Sequence, residues 1–340
     1  MLDKINKIPT QTALPGPVLP TLALVCKAAS DELRLQILRV LRHESFGVLE
    51  LCQILNLAQS KLSHHLKVLA SAGLVATRRE GNSIFYRRPL LDATQTLSTF
   101  IQTLFGNIDQ ILLEEAITTR ICQIKSERSQ SSLDFFNKNS TKFSEKQALI
   151  AELSLFSPNL GELLKIAALP STATAIEIGP GEGDYLPELA TQFKQVIAID
   201  NAKSMLERAR QQIEQHNLHN VTLMLGDPGI AVAQQLRGDL VVFNMVLHHM
   251  PSPSSALNNA FKLLNPGGYV LIAELCLHDQ EWVRKNCGDL WLGFEPEELK
   301  HWAQAAQLRS CQSLFLGLRN GFQIQLHLFH KPPSTMVENL

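Results

Sequence analysis

At 340 residues, with 45% hydrophobic and 19% charged residues and a formal net charge of −1, the chain is long enough for two domains and has the balance of a soluble globular protein. No apolar run approaches the ~20 residues that span a bilayer, and no basic stretch precedes an apolar one at the N-terminus. Neither a membrane span nor a signal peptide is expected, and the cytoplasm is the expected compartment. The six cysteines (Cys26, Cys52, Cys122, Cys276, Cys287 and Cys311) show no Cys-x-x-Cys spacing and no zinc-finger pairing with histidine, so reduced thiols are expected rather than disulfides.

Residues 1–20 carry prolines without periodicity and are read as a flexible arm. Helical spacing begins near Thr21. A second helix is expected from Ser30, as N-cap, through Asp31 and Glu32, with Leu33, Ile37, Leu38 and Leu41 on its apolar face. Two short helices follow, Leu49 to Leu55 and Gln59 to Leu69, separated by a break at Asn56-Leu57-Ala58. In the second, Leu62, Leu66 and Leu69 share one face, while Gln59, Ser60, Ser63, His64 and Lys67 fall largely on another. That is the helix-turn-helix layout. Ala72-Gly73-Leu74-Val75 starts a strand, Arg78 to Ser83 reads as a turn, and Ile84 to Arg88 returns as the second strand of a wing. Between Lys61 and Arg88 the bases Lys61, Lys67, Arg78, Arg79, Arg87 and Arg88 face a lone acid, Glu80. A nearly neutral chain thus concentrates positive charge on one small domain, as duplex DNA demands.

The run Ser63-His64-His65-Leu66-Lys67-Val68-Leu69, with Ala72-Gly73-Leu74-Val75 and Arg78-Arg79-Glu80-Gly81, resembles the winged-helix repressors of the ArsR family over roughly residues 22–89. The resemblance implies a homodimer on double-stranded operator DNA. The expected DNA-binding residues are Gln59, Ser60, Lys61, Ser63, His64, Lys67, Arg78, Arg79 and Arg87. The family's metal-binding Cys-Val-Cys aligns here with Gly47-Val48-Leu49, and adjacent helical residues such as His64 and His65 point ~100° apart, so no metal is expected.

Beyond Pro89, Leu97, Ile101, Leu104, Ile108 and Ile111 recur at spacings of four and three, a seam that packs either on its twin in a dimer or on its own domain. Residues 120–132 turn polar but lack Pro and Gly, which predicts a solvated helix. Phe135 and Phe136 are expected to begin a lid.

The second half is organised around Thr174-Ala175-Ile176-Glu177-Ile178-Gly179-Pro180-Gly181-Glu182-Gly183. An apolar run that breaks into alternate glycines reads as a buried parallel strand turning at once into a helix, with the backbone open to a ligand. A second run, Gln195 to Ile199, ends in Asp200, at the strand tip where a doubly wound sheet holds a ribose. Further strands are expected at Val221 to Leu225, Leu240 to Asn244, Tyr269 to Leu275, Cys311 to Leu316 and Phe322 to Phe329, with helices over Met205 to Asn217 and Glu295 to Ala306.

Glu177 to Gly183, Asp200 to Leu206, Asp239 to Asn244 and Leu263 to Gly268 together resemble class I S-adenosylmethionine-dependent methyltransferases. The fold this implies is α/β overall: a winged helix-turn-helix, then a Rossmann-like seven-stranded sheet with helices on both faces. Its implied cofactor is S-adenosyl-L-methionine (product S-adenosyl-L-homocysteine), and its implied contacts are Glu177, Gly179, Pro180, Gly181, Gly183, Asp200, Asn201, Met205, Gly226, Asp227 and Asn244. His248 and His249 follow the fourth strand, where one could act as a base or both could line the pocket or pack locally. The aromatics Trp282, Trp291 and Phe294 either wall an acceptor pocket or pack. An Asn-Pro-Pro-Tyr motif and paired arsenic-binding cysteines are both missing from this segment, which leaves a small-molecule acceptor.

The expected boundaries are an arm (1–20), reader domain (21–92), connector and dimerisation helix (93–132), methyltransferase domain (133–332) and tail (333–340). Two functions stay open. One is a DNA-binding regulator that also transfers methyl groups, and the other a non-catalytic regulator that senses S-adenosylmethionine or S-adenosylhomocysteine.

Overall fold

The computed structural model describes residues 18–81, 83–92, 97–139 and 143–333, so residues 1–17 of the expected arm and 334–340 of the expected tail lie outside the described residues. The chain forms two compact units, one within Met1–Arg79 and Ser83–Arg120, the other within Glu80–Asn82 and Ile121–Leu340.

The first unit contains α1 (Val18–Ala29), α2 (Glu32–Val40), α3 (Val48–Leu55), α4 (Gln59–Ser71) and α5 (Ser98–Asp109), with a small sheet of β1 (Phe46–Gly47), β2 (Ala76–Glu80) and β3 (Ser83–Arg87) in the order β1-β3-β2. Ile37, Leu38, Leu51, Ile54, Leu62, Leu66, Leu69 and Leu74 fill its core and are almost wholly buried. The N-cap of α2 is Asp31, whose carboxylate accepts from the Arg34 amide at 3.0 Å, and not Ser30, whose hydroxyl donates to the Lys27 carbonyl at 2.8 Å. The break after α3 is a left-handed Asn56 with φ 53°, a conformation Asn tolerates well. The wing differs from expectation in the extent of its strands: Arg78 to Glu80 belong to β2, and Ser83 opens β3.

The apolar seam beyond the wing packs at home. Ile101 and Ile108 are buried and α5 packs on α2, whereas Ile111 lies past the end of α5 and is exposed. Arg88 closes this arrangement. Its guanidinium donates to both oxygens of Asp109 at 3.1 and 2.8 Å and to the Leu38 carbonyl at 2.8 Å.

The second unit is a seven-stranded sheet of β4 (Thr174–Ile178), β5 (Gln195–Asp200), β6 (Val221–Leu225), β7 (Gly238–Asn244), β8 (Leu264–Leu275), β9 (Arg309–Gly317) and β10 (Gln323–His330). The order is β6-β5-β4-β7-β8-β10-β9; β4 to β8 pair in parallel and β10 runs antiparallel to both neighbours. Its helices are α6 (Glu115–Asn139, from Ile121 onward), α7 (Phe143–Ala148), α8 (Ser157–Ala167), α9 (Leu186–Gln192), α10 (Lys203–Gln215), α11 (Pro228–Ala233), α12 (Pro253–Leu263), α13 (Trp282–Asn286) and α14 (Pro296–Ala305). Strand β4 is almost wholly buried, as a continuous apolar run in the middle of a parallel sheet must be. The order reverses between β4 and β7, and such a switch point opens a crevice at the carboxyl ends of the strands.

Candidate functional site

A cavity of about 690 Å³ sits in the second unit. The residues that follow β4, β5, β6 and β7 line it, together with Lys125, Ser129, Ser132 and Phe136 of α6. Directly after β4 the chain takes left-handed turns at Gly179 (φ 64°) and Gly181 (φ 60°). A Cβ on Gly179 would lie 2.3 Å from Val246 Cγ2, so this glycine is required by the packing of the loop after β7. A Cβ on Gly181 would meet nothing within 4 Å. Backbone there faces open space and is reachable by a ligand.

Several polar atoms around this space are buried without partners: Glu182 Oε1, Tyr185 Oη and Asn244 Oδ1. Unpaired buried acceptors are costly, and they fit a ligand rich in donors. Asp200 ends β5, and its Oδ1 accepts from the Ala202 amide at 2.7 Å. Burial pushes its carboxyl up to about 6, partly opposed by backbone donors. Asp227 caps α11, accepting from the Ile230 amide at 2.9 Å, and lines the cavity with Gly226.

Of the eleven residues the methyltransferase resemblance implies, Gly179, Pro180, Gly181, Asp200, Asn201, Met205, Gly226, Asp227 and Asn244 line one cavity. Glu177 and Gly183 are outside that lining. The Glu177 side chain is buried in β4 with Oε2 unpartnered, and burial first, then nearby Asp184, pushes its carboxyl up to about 8. Sequence reasoning missed Tyr185, which follows the glycines as an aromatic and could have been found there, and Lys125, Ser129 and Ser132, which come from a distant helix. Of the two expected lid residues, Phe136 lines the cavity and Phe135 is outside its lining.

The two histidines part company. His249 lines the cavity; His248 lies behind it, 2% exposed, with Nδ1 2.5 Å from Glu274 Oε1. Burial alone would strip His248 of its proton, but facing Glu274 and Asp289 reverse this and move the imidazole upward. His249 goes the other way: burial, then the neighbouring His248, hold it well below its ordinary range, against a long contact to the Gly288 carbonyl. Trp282, Trp291 and Phe294 are packing residues. Phe294 stacks edge-on against Trp302 at 5.2 Å, Trp282 lies against Phe322, and the Trp291 indole donates to the Met250 carbonyl at 2.8 Å.

On the first unit, Gln59, Ser60, Lys61, Ser63, His64 and Lys67 are all exposed along α4, with Leu62, Leu66 and Leu69 turned into the core. Arg79 is exposed, Arg87 half-buried and Arg78 7% exposed. Alternation along β2 sends neighbouring side chains to opposite faces, and the sequence could not say which of the two arginines would be inward.

The family model "Bacterial regulatory protein, arsR family" matches residues 31–77, and the model "Methyltransferase domain" matches residues 169–307. The chain joins an ArsR-family helix-turn-helix to a methyltransferase domain of class I fold. Trans-aconitate 2-methyltransferase of Variovorax paradoxus is 30% identical over 33% of this chain and 42% of its own. Ubiquinone biosynthesis O-methyltransferase of Alkalilimnicola ehrlichii is 25% identical over 39% of this chain and 59% of its own. The chain spans less than two thirds of the length of these curated relatives. Among solved structures, the N-methyltransferase NodS from Bradyrhizobium japonicum, in complex with S-adenosyl-L-homocysteine, aligns over 56% of this chain and 98% of its own at 19% identity and a TM-score of 0.42.

Proposed function

We propose that this protein is a DNA-binding transcriptional regulator whose second unit binds S-adenosyl-L-methionine and transfers its methyl group to a small-molecule acceptor. The observation that carries the reading is the cavity at the switch point: open backbone at Gly181, unpaired buried acceptors at Glu182 and Asn244, and Asp200 at the strand tip, all around one space. These groups fit a ligand with an ammonium, ribose hydroxyls and an amino-purine. Asp200 would accept from the ribose hydroxyls, Asp227 would lie beside the purine, and the backbone from Gly179 to Gly183 would follow the amino-acid portion. When bound, S-adenosylmethionine supplies a methyl group on a positively charged sulfur. The chain's own work is to orient the acceptor in line with it and to keep water out, with Phe136 and the turn through His249 covering the acceptor side.

For the reader, the exposed polar face of α4 supports major-groove docking, with Gln59, Ser60, Lys61, Ser63, His64 and Lys67 as the contacting residues and Arg79 and Arg87 on phosphates from the wing. We place the reader at 21–92, a connector at 93–132 and the methyltransferase domain at 133–332. The protein acts as a homodimer in the cytoplasm, where its operator is. No described helix is long and apolar enough to cross a membrane.

A second reading is favoured by one observation. Helix α6, whose Lys125, Ser129, Ser132 and Phe136 line the cavity, is also the segment that links the two units. A ligand there could therefore bias DNA affinity, provided it binds two conformations unequally, with a coupling of about 1–3 kcal/mol. Calorimetry with S-adenosylhomocysteine on the wild type and on Asp200→Ala tests the first reading. One site per chain, weakened at least tenfold by the substitution, is expected; equal affinity in the two proteins would overturn it.

A further inference from the structure

Three arginines of the first unit share a single carboxylate. Arg88 donates both terminal nitrogens to Asp109, at 3.1 and 2.8 Å, and Arg42 Nε lies 3.1 Å from Asp109 Oδ2. Arg39, one helical turn before Arg42, donates Nε to the Ile111 carbonyl at 2.8 Å, just past Asp109. Arg87 adds a further base, its guanidinium donating to the Arg88 carbonyl at 3.3 Å. The guanidiniums act on one another: burial first, and then Arg39 and Arg42, lower the Arg88 pKa, against the pull of Asp109. Among the described residues, Asp109 is the one carboxylate paired with Arg39, Arg42 or Arg88; His43 and Glu44, next along the chain, have contacts of their own.

One arginine at the end of α2 is ordinary, since it complements the helix dipole. Several around one carboxylate are not, because like charges at this range repel. What distinguishes this patch from a solvated charged surface is that its side chains are held. Arg39 and Arg42 are each engaged through Nε, and their terminal nitrogens have no partner among the described residues. A guanidinium that grips an anion ordinarily gives up rotamer freedom, and here part of that loss precedes binding. Two planar forks with open ends match the oxygens of a phosphate group. Beside them, in the link between α5 and α6, Ile111 and Leu112 are 58% and 90% exposed. Aliphatic side chains so open, next to fixed cations, fit an anion with an apolar body better than an inorganic ion. The patch is set apart from the recognition face. At the other end of α2, His65 of α4 lies 3.6 Å from Asp31, about 12 Å along the helix axis from Arg39.

We propose that Arg39 and Arg42, backed by Arg88 and flanked by Ile111 and Leu112, bind the head group of a small phosphate monoester with an apolar body. The first unit then carries a ligand site of its own, in addition to its DNA-reading face and to the cavity of the second unit. Arg39 and Arg42 hold the phosphate oxygens through their terminal nitrogens, Arg88 supplies positive charge from behind, and the two aliphatic side chains cover the ester group.

The test titrates the full chain with phenyl phosphate, inorganic phosphate and benzyl alcohol by isothermal calorimetry at fixed salt. Phenyl phosphate should saturate one site per chain, at least fivefold tighter than inorganic phosphate, and benzyl alcohol should not bind. Arg39→Gln and Arg42→Gln should each weaken the ester at least tenfold. The double variant Arg39→Lys with Arg42→Lys, which keeps both charges but loses the forks, should weaken it at least fivefold. Ile111→Ser with Leu112→Ser should bring phenyl phosphate to the affinity of inorganic phosphate. All these positions are at the surface, and a wild-type melting temperature checks that each chain stays folded. Arg39→Gln should also keep the wild-type DNA affinity and salt slope. A slope of log K against log salt reduced by about one would assign these arginines to the DNA backbone and overturn the proposal. An ester that does not saturate, that binds no tighter than inorganic phosphate, or that binds the glutamine and lysine variants as it binds the wild type would overturn it as well.

Discussion

Replacing Gly181 by alanine separates two effects that share one methyl group. The residue sits at φ 60°, and a Cβ there meets nothing within 4 Å. The substitution therefore introduces no clash in the unliganded chain, only the left-handed strain of a residue with a side chain, about 1–2 kcal/mol. In a unit of this size that lowers the melting temperature by roughly 2–8 °C. The second effect appears only with ligand. If S-adenosylhomocysteine runs along this backbone, the methyl occupies its space, and overpacking of about 1–3 kcal/mol translates into an affinity loss of roughly 5- to 150-fold. Gly73, at φ 68° and also with nothing within 4 Å, lies in the other unit and is the matched control. Gly73→Ala should cost similar stability and leave S-adenosylhomocysteine affinity unchanged. The assays are calorimetric melting and isothermal titration on the same preparations. Gly181→Ala with the expected loss of stability but a dissociation constant within twofold of wild type would refute the placement of the ligand.

Two further expectations follow from the same structure. Arg79→Ala removes an exposed charge from the wing, so it should weaken binding to all DNA sequences about equally and reduce the slope of log K against log salt by about one; an unchanged slope would take Arg79 off the phosphates. Glu177 holds its proton to about pH 8 in the folded chain but to about 4.5 when unfolded. Between these values the folded state binds more protons than the unfolded one, so stability of the unliganded protein should fall as pH rises through that window, by a total on the order of 5 kcal/mol. Glu177→Gln should flatten that fall, and a melting profile with the same slope in both proteins would contradict it.

Much of the cofactor region was legible because strand tips in a parallel sheet are fixed by register. Once Gly179 follows β4 and Asp200 ends β5, the pairing of Ile178 with Ile199 brings both to the same edge. Period-3.6 spacing likewise settled which side of α4 is core. What local pattern cannot reach is contact across the chain. Asp289 meets His249 from a position forty residues away, and Glu274 reaches His248 from the next strand, so neither contact could be read from His248-His249 alone. Periodicity also misjudged the seam through Ile111, because a break after Asp109 ends α5 before that residue can join the face. The inward turn of Arg78 was hidden for the reason any strand residue's is: a shift of one position exchanges the faces.

The central claim is that one chain holds both a DNA reader and a site for S-adenosylmethionine. Equilibrium dialysis of the full chain against radiolabelled S-adenosylmethionine, alone and with a saturating duplex from the region flanking its own gene at fixed salt, tests it most directly. The account predicts one label per chain in both conditions, displaced by excess S-adenosylhomocysteine, with the duplex retained throughout. A chain that retains the duplex but no label, or the label but no duplex, would contradict it.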